Sequence, residues 1–179
     1  ESESEIINLT NHYKIFKFKE DDRYINKELC LLLKTSGSTG ETKFVKLTYK
    51  NIRNNVEGII DKLKISSNHT TITTLPAEYT YGLSILNTHL YTGASIVMNK
   101  ESIIQKNFWK NIIKYKVTSF GGVPFTYEIL KKIKFEKILN NKTKLKYLTQ
   151  AGGKISDEMH CYLLNILKKN KIKFFSMYG

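Results

Sequence analysis

Arginine is almost absent from this 179-residue chain: two of its 29 basic residues, Arg23 and Arg53, are arginines, and the rest are lysines. The planar guanidinium fork is the preferred reader of phosphates and guanine edges, whereas lysine is a hydrated point charge that often only solubilises a surface. A dedicated nucleic-acid site is therefore not expected, despite a net charge of +13 and a pI near 9.6. Cysteine is also scarce. Cys30 and Cys161 lie far apart in apolar contexts, which predicts buried free thiols in a reducing, cytoplasmic compartment. The four histidines (His12, His69, His89, His160) form no metal-ligand spacing with them, so no metal site is expected. No apolar run approaches the ~20 residues of a bilayer span. The densest, Leu29 to Leu33, is a strand's length. Internal repeats and low-complexity blocks are missing as well.

What is present is a globular composition. Hydrophobic residues make up 41% and charged residues 25%, too apolar for a disordered chain and long enough for one ordinary domain or one large subdomain. The excess of Lys, Ile and Asn runs along the whole sequence and reads as compositional. No signal peptide opens the chain, which begins Glu1-Ser2-Glu3-Ser4 without a Met, so an upstream segment is expected.

From residue 29 onward, short apolar or β-branched runs alternate with amphipathic stretches. Leu29–Lys34 reads as a buried strand. Ile52, Val56, Ile59, Ile60 and Leu63 mark one face of a helix over 48–64. Strands are expected over 71–75, 94–98, 117–120, 145–149 and 172–176. Between them, helices are expected over 81–90 and 102–114, the latter burying Ile104, Phe108, Ile112 and Ile113, with Trp109 in the core. Another starts at Pro124, which suits a helical first turn because its missing N–H would be unpaired there. The last is capped by Ser156 and buries Met159, Leu163 and Ile166. This order is that of an α/β fold with a mostly parallel sheet flanked by helices. Residues 1–28 stand outside it, as a connecting segment or, through Tyr13–Phe18, an edge strand. Residues 29–179 form the α/β unit.

In open parallel sheets ligands bind beyond the carboxyl ends of the strands. Those ends carry Thr35-Ser36-Gly37-Ser38-Thr39-Gly40, then Pro76 to Gly82, Gly121-Gly122 and Gly152-Gly153. The first run combines two glycines, which let several N–H groups point at one spot, with four rotatable hydroxyls and, at Lys43, a positive charge. That chemistry holds phosphate oxygens. It is not a Walker loop: counting from Gly37 places Thr42 at the required second glycine and Phe44 at the magnesium-binding hydroxyl.

The run Thr35-Ser36-Gly37-Ser38-Thr39-Gly40-Glu41-Thr42-Lys43, continuing to Leu47-Thr48-Tyr49-Lys50-Asn51, resembles the signature of the adenylate-forming superfamily, which includes acyl-CoA synthetases, aryl-acid ligases, luciferases and nonribosomal-peptide adenylation domains. Thr42, Phe44 and Tyr49 replace the usual proline, glycine and histidine, and none of these changes removes a phosphate donor. Four later segments match in order. Leu75-Pro76-Ala77-Glu78-Tyr79-Thr80-Tyr81-Gly82-Leu83 resembles the segment lining the acyl pocket, and Gly122-Val123-Pro124 a later G-V-P. Ala151-Gly152-Gly153 resembles the turn that contacts adenine, and Met177-Tyr178-Gly179 the start of a motif whose aromatic ring stacks on adenine.

The resemblance implies part of the large N-terminal domain of a two-step ligase. ATP, with Mg, and a carboxylic acid give acyl-AMP and pyrophosphate, and the thiol of CoA or of a carrier protein then takes the acyl group. By the same resemblance, ATP phosphates meet Thr35, Ser36, Gly37, Ser38, Thr39, Gly40 and the supporting Lys43. Adenine meets Ala151, Gly152, Gly153, Tyr178 and Gly179. The acid meets Tyr79, Tyr81, Gly82, Gly121, Gly122 and Val123. A magnesium ligand is expected just beyond Gly179, so the chain reads as a truncated piece with an incomplete site and negligible ligase activity of its own. No aspartate lies between Pro76 and Leu83, which disfavours an α-amino acid substrate. Tyr79 reads equally as pocket wall or packed aromatic. The lysines between Lys131 and Lys146 read as a solvated face, with a landing site for CoA phosphates or an acidic carrier protein as the alternative. A non-catalytic basic binding module and a pseudo-enzyme keeping the fold stand as rival readings of the whole.

Overall fold

Two antiparallel pairs open the chain. In the computed structural model, which describes residues 5–10, 13–17, 25–35, 43–139 and 142–178, β1 (Glu5–Thr10) pairs with β2 (Tyr13–Lys17). In the same way β3 (Leu29–Thr35) pairs with β4 (Lys43–Thr48). Together they belong to one compact unit, Glu1–Tyr49; the second unit is Lys50–Gly179.

This arrangement corrects two expectations. Tyr13–Lys17 is a strand, but its partner is the adjacent β1 and not the edge of a parallel sheet. Leu29–Lys34 is likewise a strand outside the parallel sheet, and it is not buried. Leu31 and Leu33 are half-buried while Cys30 and Leu32 face outward, Leu32 being 48% exposed. A continuous apolar run cannot distinguish a two-sided buried strand from one whose alternate side chains face solvent. Cys30 and Cys161 are both free but exposed: Cys30 falls on the outward side of β3, and Cys161 on the outward side of the last helix.

The second unit is the α/β layer. α1 (Tyr49–Leu63) leads to β5 (Thr70–Ile72), then α2 (Thr80–Tyr91) and β6 (Ser95–Val97). α3 (Lys106–Lys114) and β7 (Ser119–Gly122) follow, then α4 (Pro124–Lys132), the single turn α5 (Phe135–Ile138) and β8 (Tyr147–Gln150). α6 (Asp157–Lys169) and β9 (Lys173–Ser176) complete it. The five strands form one all-parallel sheet in the order β6-β5-β7-β8-β9. The chain steps from β5 outward to β6, then crosses back over β5 to reach β7, so the strand order reverses between β5 and β7. That is the topological switch point at which such sheets open a ligand crevice. β5 and β7 meet there in a single registered pair, Thr71 with Ser119.

The two faces of the sheet differ in chemistry. On one, Ile72, Phe120 and Leu148 join Phe108, Trp109 and Ile112 of α3, Tyr127 and Leu130 of α4, and Met159 and Leu163 of α6 in the main core. Several of these are fully buried, and each large apolar side chain so placed contributes roughly 1.5–3 kcal/mol. The opposite face carries Thr71, Ser119, Gly121, Tyr147 and Thr149, covered by α1 and α2.

Helix boundaries follow local chemistry. The Ser156 hydroxyl accepts from the Met159 N–H at 3.2 Å, capping α6, and Pro124 occupies the first turn of α4. α3 begins later than its apolar spacing suggests. The Ser102 N–H is taken by the Gln105 side chain at 2.5 Å in a preceding turn. Ile103, not Ile104, is therefore buried, and Ile104 is 61% exposed. Four helical segments end at lysines in the left-handed region, Lys64, Lys116, Lys134 and Lys171.

Candidate functional site

Because all five strands of the second unit run the same way, the residues after β5, β7, β8 and β9 emerge along one edge. Pro76 to Gly82, Gly121–Val123, Ala151–Gly153 and Tyr178 thus arrive together from four separate parts of the sequence. At the switch point the Thr74 hydroxyl donates to the Gly121 carbonyl at 2.6 Å, tying the end of β5 to the end of β7. Thr73, Pro76, Asn99 and Glu101 are among the residues lining an open groove of about 370 Å³ on the β6 side of this point.

Tyr81 and Tyr79 reach this edge from the start of α2. Tyr81 is buried, and its hydroxyl donates to Thr149 Oγ1 at 2.6 Å. It lies over Gly121, where a Cβ would come 2.8 Å from the Tyr81 oxygen and 2.6 Å from Ile85 Cδ1. Burial pushes the Tyr81 phenol well above its ordinary pKa, so it serves as a neutral donor. Tyr79 is 37% exposed, and a Cβ on Gly152 would overlap its hydroxyl and approach Val123 Cγ1 to 3.3 Å. Gly152 has φ +81°, a backbone state that favours glycine. Gly82 is also close-packed, since a Cβ there would run into the Pro76 carbonyl.

A buried polar cluster holds the Gly152 turn. Gln150 is fully buried; its Nε2 donates to the Gly153 carbonyl at 2.6 Å, and its Oε1 accepts from Ser176 at 2.8 Å. The Met177 N–H donates to the Gln150 carbonyl at 2.7 Å, extending the β8–β9 pairing by one step. Tyr178 follows with its side chain wholly exposed, lining an open groove with Asn54, Asn55 and Gly58 of α1. Behind this, the Tyr127 hydroxyl donates to the Thr149 carbonyl at 2.5 Å.

Of the expected acid-side residues, Tyr81 thus meets Gly121 while Gly82 packs against Pro76, and Tyr79 and Val123 meet Gly152 from the expected adenine-side group. Ala151 is buried directly after β8. Gly122 packs against Thr126 and Gly153 against Pro124. Thr35 and Lys43 face each other in the β3–β4 register of the first unit, while Ser36, Gly37, Ser38, Thr39, Gly40 and Gly179 lie outside the described residues. Thr74, Thr149 and Gln150 contribute without any signal in the sequence, since a polar residue on a strand reads as solvent-facing until the register is known. Among the described residues no group of three His, Cys, Asp or Glu converges as a metal site. The lysines from Lys131 to Lys146 are exposed, with Lys131 paired to Glu158 at 2.6 Å.

The family model described as "AMP-binding enzyme" matches residues 4–179. The chain belongs to that family. Among curated relatives, the acyl-CoA synthetase ALT10 of Alternaria alternata is 27% identical over 93% of this chain and 28% of its own length. A probable CoA ligase of Humulus lupulus, CCL9, is 24% identical over 72% of this chain and 25% of its own length. The chain therefore spans about a quarter of the length of these relatives. Among solved structures, the long-chain-fatty-acid-CoA ligase FadD1 of Archaeoglobus fulgidus superposes with a TM-score of 0.71 at 21% identity, over 86% of this chain and 31% of that one. The five-stranded parallel sheet with its flanking helices is thus the architecture of the N-terminal domain of adenylate-forming enzymes. No helix among the described residues is long and apolar enough to cross a membrane.

Proposed function

We propose that this AMP-binding chain is the nucleotide- and acid-binding part of an ATP-dependent carboxylate ligase, with the unit Lys50–Gly179 as its α/β layer. A carboxylate oxygen attacks the α-phosphorus of ATP, the bond to the β-phosphate bridging oxygen breaks, and pyrophosphate leaves with the electron pair. The sulfur of CoA or of a carrier-protein thiol then attacks the acyl carbon, the thiol proton goes to solvent and AMP departs. A free carboxylate is a poor electrophile, and adenylation supplies the leaving group.

The observation that carries this reading is the family match over residues 4–179. Two strand-end features support a purine site: the left-handed Gly152 turn, covered on its Cβ side by Tyr79, and the wholly exposed Tyr178 two residues beyond β9. In this reading Ala151, Gly152, Gly153, Tyr178 and Gly179 hold adenine. Thr35 to Gly40 and Lys43 hold the phosphates and stabilise charge developing on them, and Tyr79, Tyr81, Gly82 and Gly121–Val123 shape the acid end. ATP is taken with magnesium, and the reaction is cytoplasmic. Acid-dependent ATP–pyrophosphate exchange in the full-length protein tests the first step without any thiol. Exchange that depends on an added acid and weakens in Lys43→Ala is expected. Its absence across alkanoic, hydroxyalkanoic and aromatic acids would sink the ligase reading.

A further inference from the structure

The face of the sheet under α1 and α2 is lined by hydroxyls, which is unusual for the inner face of a parallel sheet. Ser119 lies two residues before Gly121 on β7, and Tyr147 two before Thr149 on β8. The two are direct cross-strand partners. Both are buried, as is His89 of α2. All three line one small, partly open cavity of about 20 Å³, whose remaining walls include Ile59, Leu63 and Thr88. That is about the room one water requires.

Among the described residues, His89 Nε2, Ser119 Oγ and Tyr147 Oη of this lining make no well-formed hydrogen bond, although Ser119 lies near enough to Tyr147 to favour its ionised form slightly against the effect of burial. Buried polar atoms are nearly always paired, and leaving one unpaired is costly. Their chemistry is specific. His89 Nδ1 lies 2.8 Å from the Ile85 carbonyl; a carbonyl only accepts, so Nδ1 carries the proton and Nε2 presents a bare lone pair. Burial lowers the His89 pKa, which keeps the ring neutral. Ser119 and Tyr147 can each donate or accept. No charged side chain among the described residues lines the cavity. A carboxylate finds no donor at Nε2 and no cation, and an ammonium finds no anion. A hydroxyl donates to Nε2 and accepts from Ser119 or Tyr147, so it satisfies the set.

The position adds a length. The cavity lies one side-chain repeat, two residues or about 7 Å, behind the strand ends, where the ligase reading places the reacting carboxylate; Tyr81 and Ile85, packed over Gly121, stand between the two and must move aside for an acid to reach it. Resting on that reading, we propose that the His89–Ser119–Tyr147 cavity is the far end of the acid site. It selects a short, slender carboxylic acid bearing a hydroxyl about four or five bonds from its carboxylate, the hydroxyl replacing a resident water. A long alkyl tail has neither the room nor the hydrogen bonds to end there.

The test is ATP–pyrophosphate exchange by the full-length protein with matched acids: 4-hydroxybutanoate and 5-hydroxypentanoate against butanoate and pentanoate, with decanoate as the long control. The expected kcat/KM is at least tenfold higher for the hydroxylated member of a pair. That ratio should fall at least threefold in Ser119→Ala and in Tyr147→Phe, with melting temperatures measured on both to show that each is folded. Ser119→Ala serves alone if Tyr147→Phe does not fold. Equal or better use of the parent acids means the cavity holds a buried water only, and overturns the proposal while the ligase reading stands. So does a ratio unchanged in the folded variants. Exchange with none of the acids overturns the ligase reading, and this proposal with it.

Discussion

The Tyr81 hydroxyl donates a 2.6 Å hydrogen bond to Thr149 Oγ1, joining the first turn of α2 to the end of β8 across the mouth of the proposed acid site. Both residues are buried. Tyr81→Phe removes the donor and leaves the Thr149 hydroxyl short of a partner, at a cost of about 1–2 kcal/mol. Denaturant titration should show the midpoint falling with an unchanged slope. An unchanged midpoint would mean that Thr149 recruits another partner at once.

Gly152 combines a φ of +81° with direct contact to the Tyr79 side chain. Gly152→Ala brings left-handed strain of roughly 1–2 kcal/mol and forces Tyr79 aside. In the proposed function both effects fall on the adenine turn, so the KM for ATP should rise tenfold or more. The KM for the acid should move less. An effect confined to the acid would assign this turn to the other side of the site.

Lys116 and Lys171 terminate helical segments in the left-handed region, at φ 50° and 56°. Glycine accepts that state without a Cβ penalty. Lys116→Gly and Lys171→Gly should therefore each stabilise the fold by about 0.5–1 kcal/mol, the gain being limited by glycine's greater freedom when unfolded. Thermal melting checks this, and a loss of stability would show that the lysine side chains contribute more than their backbone strain costs.

His69 and His89 are both buried, and burial lowers the pKa of each below the ordinary 6.5; for His69, Lys146 adds to the effect. The unfolded chain thus takes up protons at a pH where the folded one does not. Stability from this source is complete above about pH 6.5 and falls as pH drops below it, until the folded pKa is reached. The slope is at most about 1.4 kcal/mol per pH unit for each histidine. Denaturation at successive pH values should show that decline, and His89→Gln should flatten it. A wild-type profile flat from pH 7.5 to 5 would contradict it.

Helix faces were the most legible part of this fold, because period-3.6 spacing such as Ile52, Val56, Ile59 and Leu63 survives any tertiary context. Helix ends were less so. All four left-handed lysines stand where a glycine would have signalled a stop, and Ile103 replaced Ile104 in the core where the Gln105 side chain accepts the Ser102 N–H ahead of α3. The first apolar run was misplaced for a different reason: its partner strand, β4, carries Lys43, Phe44 and Lys46 and has no period-2 polarity to announce it. At the site, glycine pairs after apolar strands pointed to the carboxyl edge. The hydroxyl-lined face behind it was hidden, since Ser119, Tyr147 and Thr149 become neighbours only through the β7–β8 register.

The most direct test of the central claim follows oxygen. The full-length protein is supplied with ATP, a thiol acceptor and an accepted acid labelled with ¹⁸O in both carboxylate oxygens. Attack by the carboxylate on the α-phosphorus predicts one ¹⁸O in each AMP released, and none in pyrophosphate. Unlabelled AMP would indicate hydrolysis by water, and label in inorganic phosphate with ADP as co-product would indicate an acyl-phosphate route. Either result would contradict carboxylate adenylation.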